Sequence, residues 1–315
     1  MAAPATEDEI LEVNRRYHDV AAADYDAKWG VGFGEIGRAQ VLGKARKLLG
    51  REPGPFERSL EIGAGTGYFT LNLMQEGVVR SAVCTDISPG MLTALERNAR
   101  SLGLDVETRA CDAAALPFPD HSFDLVLGHA VLHHLPRLHD AFAEFHRVLE
   151  PGGTLFFAGE PSRYGDRIAA VPKRAGLAAA PLWRRLMRAR PGQGHGSPNG
   201  NASSDHLLES MVDVHAFVPG DLARVAKQAG FESVHVRGEE LLANWFGWFN
   251  RTVESTAEPS DIPWPWIQYA YRGYVMLQEL DRRLLEPHLP SQLFYNLMLV
   301  ARAPESAPPA PPPAG

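Results

Sequence analysis

The chain has 315 residues, of which 45% are hydrophobic and 22% charged, a composition that is ordinary for a globular protein able to bury a full α/β core. The net charge of −7 argues against general affinity for nucleic acid, so no nucleic-acid partner is expected. No run approaches the roughly 18 apolar residues that a membrane span needs, and the first residues are polar and acidic, so we expect a cytoplasmic protein.

The first predicted element, at residues 10–29, is a helix followed by a turn, and it carries several aromatic residues, Tyr25 among them. Aromatic side chains usually belong to a core, which favours a helix packed on the rest of the domain.

Three glycines at alternate positions, Gly63, Gly65 and Gly67, separate an apolar run from a helix-like run. Glycine tolerates positive φ and lets the backbone lie directly against a ligand, so this loop is typical of a nucleotide-binding turn. The spacing differs from the dinucleotide fingerprint, because Tyr68 stands where the third glycine would be. Glu61, just before the loop, would repel a pyrophosphate but suits a ligand that carries an ammonium group.

Strand and helix signals alternate after this loop, which is the pattern of a parallel sheet with helices on both faces. Ser88 and Pro89 predict a helix start, as an N-cap followed by proline at the first helical position. A proline and two glycines at 151–153 predict a break after a helix. The predicted strands are 59–62, 81–85, 106–111, 123–127 and 154–158, and the predicted helices are 68–75, 90–101 and 138–149.

Two acids and a histidine lie at the ends of predicted strands. Asp86 ends the second strand, Asp112 ends the third, and His129 follows the fourth. Ligands of open α/β sheets bind outside the carboxyl ends of the strands, so we expect these side chains to surround one site. An acid placed like Asp86 can accept hydrogen bonds from both hydroxyls of a ribose.

Three further motifs occur along the chain in the expected order relative to these strand-end residues. They are Leu116-Pro117-Phe118, Phe123-Asp124-Leu125-Val126 and Arg147-Val148-Leu149-Glu150-Pro151-Gly152-Gly153. Over residues 59–161 the sequence therefore resembles class I S-adenosylmethionine-dependent methyltransferases of the small-molecule type. The resemblance implies an α/β fold with a doubly wound, seven-stranded, mostly parallel sheet that ends in an antiparallel hairpin. It also implies S-adenosyl-L-methionine as the methyl donor.

The resemblance implies roles for individual residues. The glycine loop would lie along the methionine part of the cofactor, Asp112 would bind the adenine amino group, and Ala113 would contact the ring. In related enzymes a Tyr-Asp pair like the one at 25–26 lies on a segment that folds over the cofactor. The predicted cofactor-binding residues are Tyr25, Glu61, Gly63, Ala64, Gly65, Gly67, Asp86, Ile87, Met91, Asp112, Ala113 and His129.

The candidate catalytic residues are His129, His133 and His134, which follow the fourth strand, where the family lines the pocket around the transferred methyl group. A histidine can act as a base near neutral pH, which a hydroxyl or carbon acceptor requires and an amine or thiolate does not. Helix-start and packing roles explain the three residues equally well, and His133 and His134 resemble a family pair that is often structural. No metal site is predicted, since the acid and cysteines of known zinc motifs are missing.

Two insertions interrupt the family pattern. The first, at about 162–219, has eight basic residues and one acid within 163–190, which is typical of a solvated face or of peripheral membrane contact. It also holds a polar stretch at 193–204 that predicts a mobile loop. The second, at about 241–292, concentrates aromatic residues at 245–274 and predicts a lid over an apolar acceptor pocket, a helical subcore or a dimer contact.

The final elements are a helix at 219–227 and strands at 233–237 and 293–301. We predict one methyltransferase domain over residues 1–302 and a disordered, Ala/Pro-rich tail at 303–315.

The predicted function is methyl transfer to a small-molecule, lipid-like or glycan-like acceptor, as O- or C-methylation. Two alternatives stay open: a nicotinamide-dependent oxidoreductase, and a non-catalytic protein of this fold that docks on a membrane or a partner. The sequence predicts neither the identity of the acceptor nor the oligomeric state.

Overall fold

The computed structural model describes residues 6–22, 25–26, 31–192 and 215–305. Its strands are β1 Phe56–Ile62, β2 Val79–Asp86, β3 Glu107–Ala110, β4 Phe123–His129, β5 Leu149–Pro161, β6 Glu232–Glu239 and β7 Asn296–Arg302. They form a single sheet in the order β3-β2-β1-β4-β5-β7-β6, and β7 runs antiparallel to both of its neighbours. The mostly parallel sheet with an antiparallel C-terminal pair is confirmed.

The helices cover both faces of this sheet. They are α1 Glu7–Ala21, α2 Glu35–Leu49, α3 Tyr68–Gln75, α4 Pro89–Ser101, α5 Leu138–Val148, α6 Arg163–Met187, α7 Pro219–Gln228, α8 Leu242–Ser255 and α9 Trp264–Leu280. On one face, Phe142 of α5 and Leu222 of α7 share a core with Leu60 of β1. On the other face, Val41 of α2 and Phe69 of α3 share a second core with residues of the same sheet.

Helix α4 begins as the sequence predicts. Ser88 is its N-cap, and the Ser88 hydroxyl accepts a hydrogen bond of 3.1 Å from the Met91 amide, with Pro89 at the first helical position. This cap satisfies an amide that the helix itself leaves unbonded. Helix α3 likewise occupies the range predicted for it.

The predicted break at residues 151–153 is present as an irregularity near the start of β5. Helix α5 ends at Val148 and β5 begins at Leu149, but its pairing with β4 shifts register between Leu149 and Thr154, and Gly152 has a φ of 74°. Hydrogen bonds to a distant segment hold this part of the strand, because the Gly152 amide donates to the Pro304 carbonyl at 3.1 Å and the Ala303 amide donates to the Gly153 carbonyl at 2.9 Å. The helix therefore ends where the sequence predicts, whereas the strand begins earlier than the predicted residue 154.

The predicted start of the tail is also too early, since Ala303 is buried and hydrogen-bonded. The rest of the predicted tail, from residue 306, lies outside the described residues, as does the predicted mobile loop at 193–204. Helix α2 has no counterpart in the sequence interpretation. Its N-cap, Gly34, makes no side-chain hydrogen bond, so the usual start signal is missing.

The two insertions pack on each other. Helix α6, from the first insertion, lies against α8, from the second, and Trp183 of α6 meets Trp266 of α9 with ring centroids 5.2 Å apart. Val253 and Ala257 complete the buried cluster between them. The helical subcore that the sequence offered as one alternative is therefore formed, by segments from both insertions, and we call this unit the cap.

Candidate active site

A narrow cleft of about 90 Å³ lies at the carboxyl ends of the central strands. It gathers nine of the predicted cofactor residues: Tyr25, Gly63, Gly65, Asp86, Ile87, Met91, Asp112, Ala113 and His129. These residues come from the carboxyl ends of β1, β2 and β4 and the loops that follow them, from the segment after β3, from the first turn of α4, and from the N-terminal segment. The parallel order of the strands explains the gathering, since it puts their carboxyl ends at one edge.

The glycine loop is shaped by close packing at its first glycine. Gly63 has a φ of +60°, and a Cβ there would lie 2.2 Å from a methyl group of Val131. Gly65 has a φ of +53°, and a Cβ there would meet no atom within 4 Å. The loop therefore needs glycine at 63 for packing, whereas at 65 the space beside the backbone is open.

Gly67 lies outside both cavities of the site. It is the N-cap of α3 with a φ of 92°, and a Cβ would collide with the side chains of Leu71 and Leu95. The third glycine of the loop therefore serves the turn from β1 into α3, which is a structural role.

Glu61 is a buried carboxyl group beside the loop, with 1% of its surface exposed. Burial raises the pKa of Glu61 to about 8, although hydrogen bonds with Thr70 oppose this shift. Its Oε2 atom is buried with no hydrogen-bond partner among the described residues. An acceptor left open in this way fits the ammonium group of a bound S-adenosylmethionine.

Asp86 joins the end of β2 to the glycine loop. One carboxylate oxygen accepts from the Gly65 amide and the other from the Ser88 amide, both at 2.9 Å. Burial raises the pKa of Asp86, while the charge of His18 and these amides oppose the shift. Each oxygen keeps a second lone pair, so the carboxylate can still accept from a ribose.

Asp112 is held in place from two sides. One oxygen accepts from the Ala114 amide at 2.9 Å, and the other pairs with the Arg137 guanidinium. The following residue, Ala113, is buried and lines the cleft. Arg137 was missed by the sequence interpretation, because 25 residues separate it from its partner and it lies in no recognisable motif.

The N-terminal segment closes one side of the cleft. Leu11, Asn14 and His18 of α1 line it together with Tyr25. Asp26 fixes this segment to the glycine loop, because its carboxylate accepts from the Thr66 hydroxyl and from the Asn98 amide. Tyr25 therefore lies where the resemblance implied, but the three residues of α1 were not predicted. An amphipathic helix gives no sign of which side faces a ligand.

His129 lies where the cleft meets a larger cavity. Its ring stacks on Phe69 with centroids 5.1 Å apart, and Gly159 leaves room for it, since a Cβ there would come within 2.9 Å of Nε2. Burial, followed by the charge of Lys44, lowers the pKa of His129 to about 4. The imidazole is therefore neutral at pH 7 and a weak base.

His133 is held by a buried carboxylate. Its Nδ1 lies 2.8 Å from Glu160, which also accepts from the amides of Val131, Leu132 and His133. In the described part of the chain, His133 is not among the side chains that line either cavity. Its geometry is that of a packing residue, whereas His134 lines the cleft and packs against the ring of His18.

The larger cavity, of about 820 Å³, lies between the glycine loop and the cap. Its volume falls in the range of about 300–1,000 Å³ that is usual for small-molecule sites. Glu61 and Ala64, the remaining predicted cofactor residues apart from Gly67, lie on its wall. The aromatic insertion contributes Tyr271 and Tyr274, so the cap is a lid as well as a subcore.

Five residues line both cavities, and we call them the threshold residues: Tyr25, Gly63, Gly65, His129 and Ala130. A ligand in the cleft and a ligand in the larger cavity would therefore meet at this point.

The far wall of the larger cavity carries a buried charge network. The ammonium group of Lys44 pairs with Glu239 and lies 3.7 Å from Glu240, which also accepts from the Tyr274 hydroxyl at 2.6 Å. Burial alone would lower the pKa of Lys44, but the two carboxylates outweigh it and raise the pKa. The ammonium group of Lys44 therefore keeps its charge at neutral pH.

The sequence held a signal for part of this network. Glu239 ends β6 and Glu240 follows it, and β6 runs parallel to β5, so both residues lie at the same sheet edge as Asp86. Asp86 was predicted as a site residue because it lies at the carboxyl end of a strand. Glu239 and Glu240 were not predicted in this way, because the strand was predicted to end at residue 237. Lys44 gave no signal, since α2 itself was not predicted.

Within the described ranges, no cluster of three or more metal-ligating side chains occurs, and no helix has the length and apolar character that would cross a bilayer.

Sequence comparisons find several methyltransferases. The family described as "Methyltransferase domain" matches residues 60–157. Malonyl-[acyl-carrier protein] O-methyltransferase of Geobacter sulfurreducens is 32% identical over 231 residues, which are 73% of this chain and 73% of that protein. Demethylmenaquinone methyltransferase of Thermus thermophilus is 37% identical over 99 residues, 31% of this chain and 45% of that protein. The ubiquinone/menaquinone C-methyltransferase UbiE of Dinoroseobacter shibae is 29% identical over 59% of this chain and 70% of its own length.

Solved structures share the fold at low sequence identity. Phosphoethanolamine N-methyltransferase 2 of Haemonchus contortus, in complex with S-adenosyl-L-methionine, aligns with a TM-score of 0.56 at 18% identity over 96% of this chain. The chain spans 60% of the length of that protein. The [4+2]-cyclase SpnF aligns with a TM-score of 0.57 at 18% identity, over 97% of this chain and 100% of its own. At such identities the likeness concerns the fold alone.

Proposed function

Because the chain belongs to the class I S-adenosylmethionine-dependent methyltransferases, we propose that its cleft holds the methyl donor and that the larger cavity holds a small-molecule, lipid-like or glycan-like acceptor. The observation that carries this proposal is the set of threshold residues, at which the two cavities meet. Because the chain belongs to this family, we no longer consider the nicotinamide-dependent oxidoreductase, which the glycine loop alone left open as an alternative.

We assign the cofactor contacts residue by residue, in the cleft and at Glu61, which lies on the adjoining wall of the larger cavity. Glu61 would accept from the ammonium group, Asp86 from the ribose hydroxyls, and Asp112 from the adenine amino group. The unpartnered Oε2 of Glu61 supports the first assignment, and the position of both aspartates on the cleft wall supports the others. Ile87, Met91 and Ala113 would supply apolar contact to the adenosine part.

Bound S-adenosylmethionine supplies an electrophilic methyl group on a sulfonium leaving group. The chain's own task is then to align an acceptor atom with that methyl group and to exclude water. The threshold residues fix the point of approach, and the cap covers the acceptor side.

We assign to His129 the orientation of the acceptor, because it lies where the two cavities meet. With a pKa of about 4, its neutral ring can accept a hydrogen bond from an acceptor hydroxyl, but it is too weak a base to remove the proton of an ordinary alcohol beforehand. An acidic hydroxyl, a carboxylate or an activated carbon acid fits this environment best. The O- and C-methyltransferases among the relatives are in keeping with such acceptors.

The test is to incubate the protein with S-adenosylmethionine labelled in the methyl group and with fractionated small-molecule extracts, followed by mass spectrometry. We expect one labelled product and stoichiometric adenosylhomocysteine from the wild type. The Asp86→Ala variant should lose both products, and Asp105→Ala, an exposed control, should retain them. Binding of adenosylhomocysteine without any labelled product from any fraction would contradict the proposed acceptor classes.

A further inference from the structure

Helix α6 presents two different faces along its 25 residues. The inner face packs on α8, where Gly176 approaches the Phe249 carbonyl and the Thr252 side chain so closely that a Cβ would fall within 3.0 Å of both. Ala169, Ala180 and Trp183 are buried on this side. The inner face is therefore fully used in holding the cap together.

The outer face carries an exposed apolar stripe. Tyr164 is 42% exposed, Val171 59%, Leu182 63% and Leu186 68%. At 100° per residue these four side chains fall within an arc of about 60°, along a length of about 33 Å. Leu177, which is 59% exposed, projects about 150° away from this stripe and does not belong to it. Single exposed apolar side chains are usual, but four aligned on one side of a helix are the arrangement expected of a contact surface.

Arginines border this stripe. Arg167, Arg174 and Arg185 are exposed and project about 65–90° from the centre of the stripe, on one side of it. In the described part of the chain none of the three pairs with a carboxylate. The helix contains one acid, Asp166, which is directed away from the stripe and lies 3.8 Å from Lys173.

We propose that the outer face of α6 binds the surface of an anionic lipid bilayer. An apolar stripe with a border of arginines is the arrangement of helices that lie in a membrane interface, where apolar side chains enter the acyl boundary and cations contact anionic headgroups. The local positive charge stands out because the whole chain carries a net charge of −7. A general acidic partner would match the arginines but not the apolar row. A second copy of this chain would match the apolar row but would bring like charges together. An anionic bilayer matches both features.

The position of this face bears on the reaction. Helix α8, on which α6 packs, contributes Asn250 and Glu254 to the wall of the larger cavity. Docking through α6 would bring the cap, and with it the proposed acceptor site, close to the lipid surface. This consequence rests on the proposed function, whereas the docking itself does not.

The experiment is co-sedimentation of the full chain with vesicles of phosphatidylcholine alone or mixed with phosphatidylglycerol, without cofactor or acceptor. We expect binding to the mixed vesicles, at least tenfold weaker binding to phosphatidylcholine, and loss of binding as salt is raised, since surface charges are screened. The triple variant Arg167→Glu, Arg174→Glu, Arg185→Glu should lose binding at least tenfold. The double variant Leu182→Ser, Leu186→Ser should weaken binding to the mixed vesicles, although the net charge of the protein is unchanged.

The matched control is Arg97→Glu, Arg100→Glu, Arg109→Glu, which makes the same change in net charge at exposed positions outside the cap. It should keep vesicle binding, and thermal unfolding should show that all variants fold. Equal binding to both vesicle types, equal loss in the control, or no binding by the wild type would overturn the proposal. Self-association through α6 instead of vesicle binding would also overturn the proposal. It would be detected as a concentration-dependent increase in molecular mass that the Leu182→Ser, Leu186→Ser variant abolishes. Adenosylhomocysteine binding measured on the same samples keeps this outcome separate from that of the proposed function.

Discussion

Glu61 is protonated in the cofactor-free protein at neutral pH, because its pKa is about 8. In the unfolded chain the pKa of a glutamate is near 4.5. Between these two values the folded protein keeps a proton that the unfolded chain has released. The free energy of unfolding therefore falls as the pH rises through this window, by about 1.4 kcal/mol per pH unit for this group.

We predict that Glu61→Gln removes this dependence. Without cofactor, the melting temperature of the variant should fall less between pH 5 and pH 8 than the melting temperature of the wild type. At pH 8 the variant should have the higher melting temperature of the two. Its affinity for adenosylhomocysteine should drop by about tenfold or more, as for loss of a charged hydrogen bond. Differential scanning fluorimetry and calorimetry measure both, with the exposed Glu57→Gln as control. Parallel melting curves for Glu61→Gln and the wild type across this range would contradict the assigned proton.

Gly65 offers a second test at the scale of one residue, because Gly103 is a matched control. Both have positive φ, +53° and +69°, and a Cβ at either would meet no atom within 4 Å. Gly65 lines both cavities, whereas Gly103 lies in the turn after α4. Alanine should cost about 1–2 kcal/mol of stability at each position, from backbone strain alone.

Binding should then separate the two variants. We predict that Gly65→Ala weakens adenosylhomocysteine binding by about tenfold or more, since its methyl group would occupy ligand space, and that Gly103→Ala leaves it unchanged. Isothermal titration at one temperature, with folding checked by circular dichroism, is sufficient. Equal affinities for the two variants would place the ligand elsewhere.

At the scale of elements, the ion pair between Lys44 and Glu239 joins α2 to the end of β6. Both side chains are buried, and Lys47 makes a second contact with Glu239 at 3.1 Å. Burial alone would raise the pKa of Glu239, but the two lysines outweigh it and lower the pKa. Removing one partner leaves a buried charge that is only partly compensated.

Lys44→Met should therefore lower the free energy of unfolding by about 3–5 kcal/mol, as when one member of a buried pair is removed. The double variant Lys44→Met, Glu239→Gln should recover part of this loss. As a control, Arg80→Met breaks the exposed pair with Glu57 and should cost no more than about 1 kcal/mol. Urea unfolding at pH 7 compares the three, and a Lys44→Met cost no larger than that of Arg80→Met would count against the network.

Elements with local signals were predictable from the sequence. Ser88 and Pro89 predict the start of α4, and the three alternate glycines predict the sharp turn of the glycine loop. The early start of β5, at Leu149, was not predictable, because it depends on hydrogen bonds with Ala303 and Pro304, far along the chain. Local chemistry identifies the turn at 151–153, but pairing with a distant segment decides where the strand begins.

At the scale of the whole molecule, the fold class was predictable from the family resemblance, and the cleft was predictable because strand-end residues of a parallel sheet converge whatever surrounds them. The larger cavity was predictable only in part, as an acceptor pocket under the aromatic insertion. Its walls combine α2, the end of β6 and the cap, and the contact between Lys44 and Glu239 joins residues 195 positions apart. The sequence interpretation identified the aromatic insertion but had no means of pairing it with α6.

The position of α1 bears on the kinetics of ligand exchange. Leu11, Asn14 and His18 line one side of a cleft of about 90 Å³, which is smaller than ordinary ligand sites. We therefore expect α1 to move aside when a nucleoside-bearing cofactor enters or leaves. We expect association rates that level off as cofactor concentration rises, at the rate of this opening, and a turnover set by release of adenosylhomocysteine. The movement of α1 would then limit the rate of turnover, and the methyl transfer itself would not.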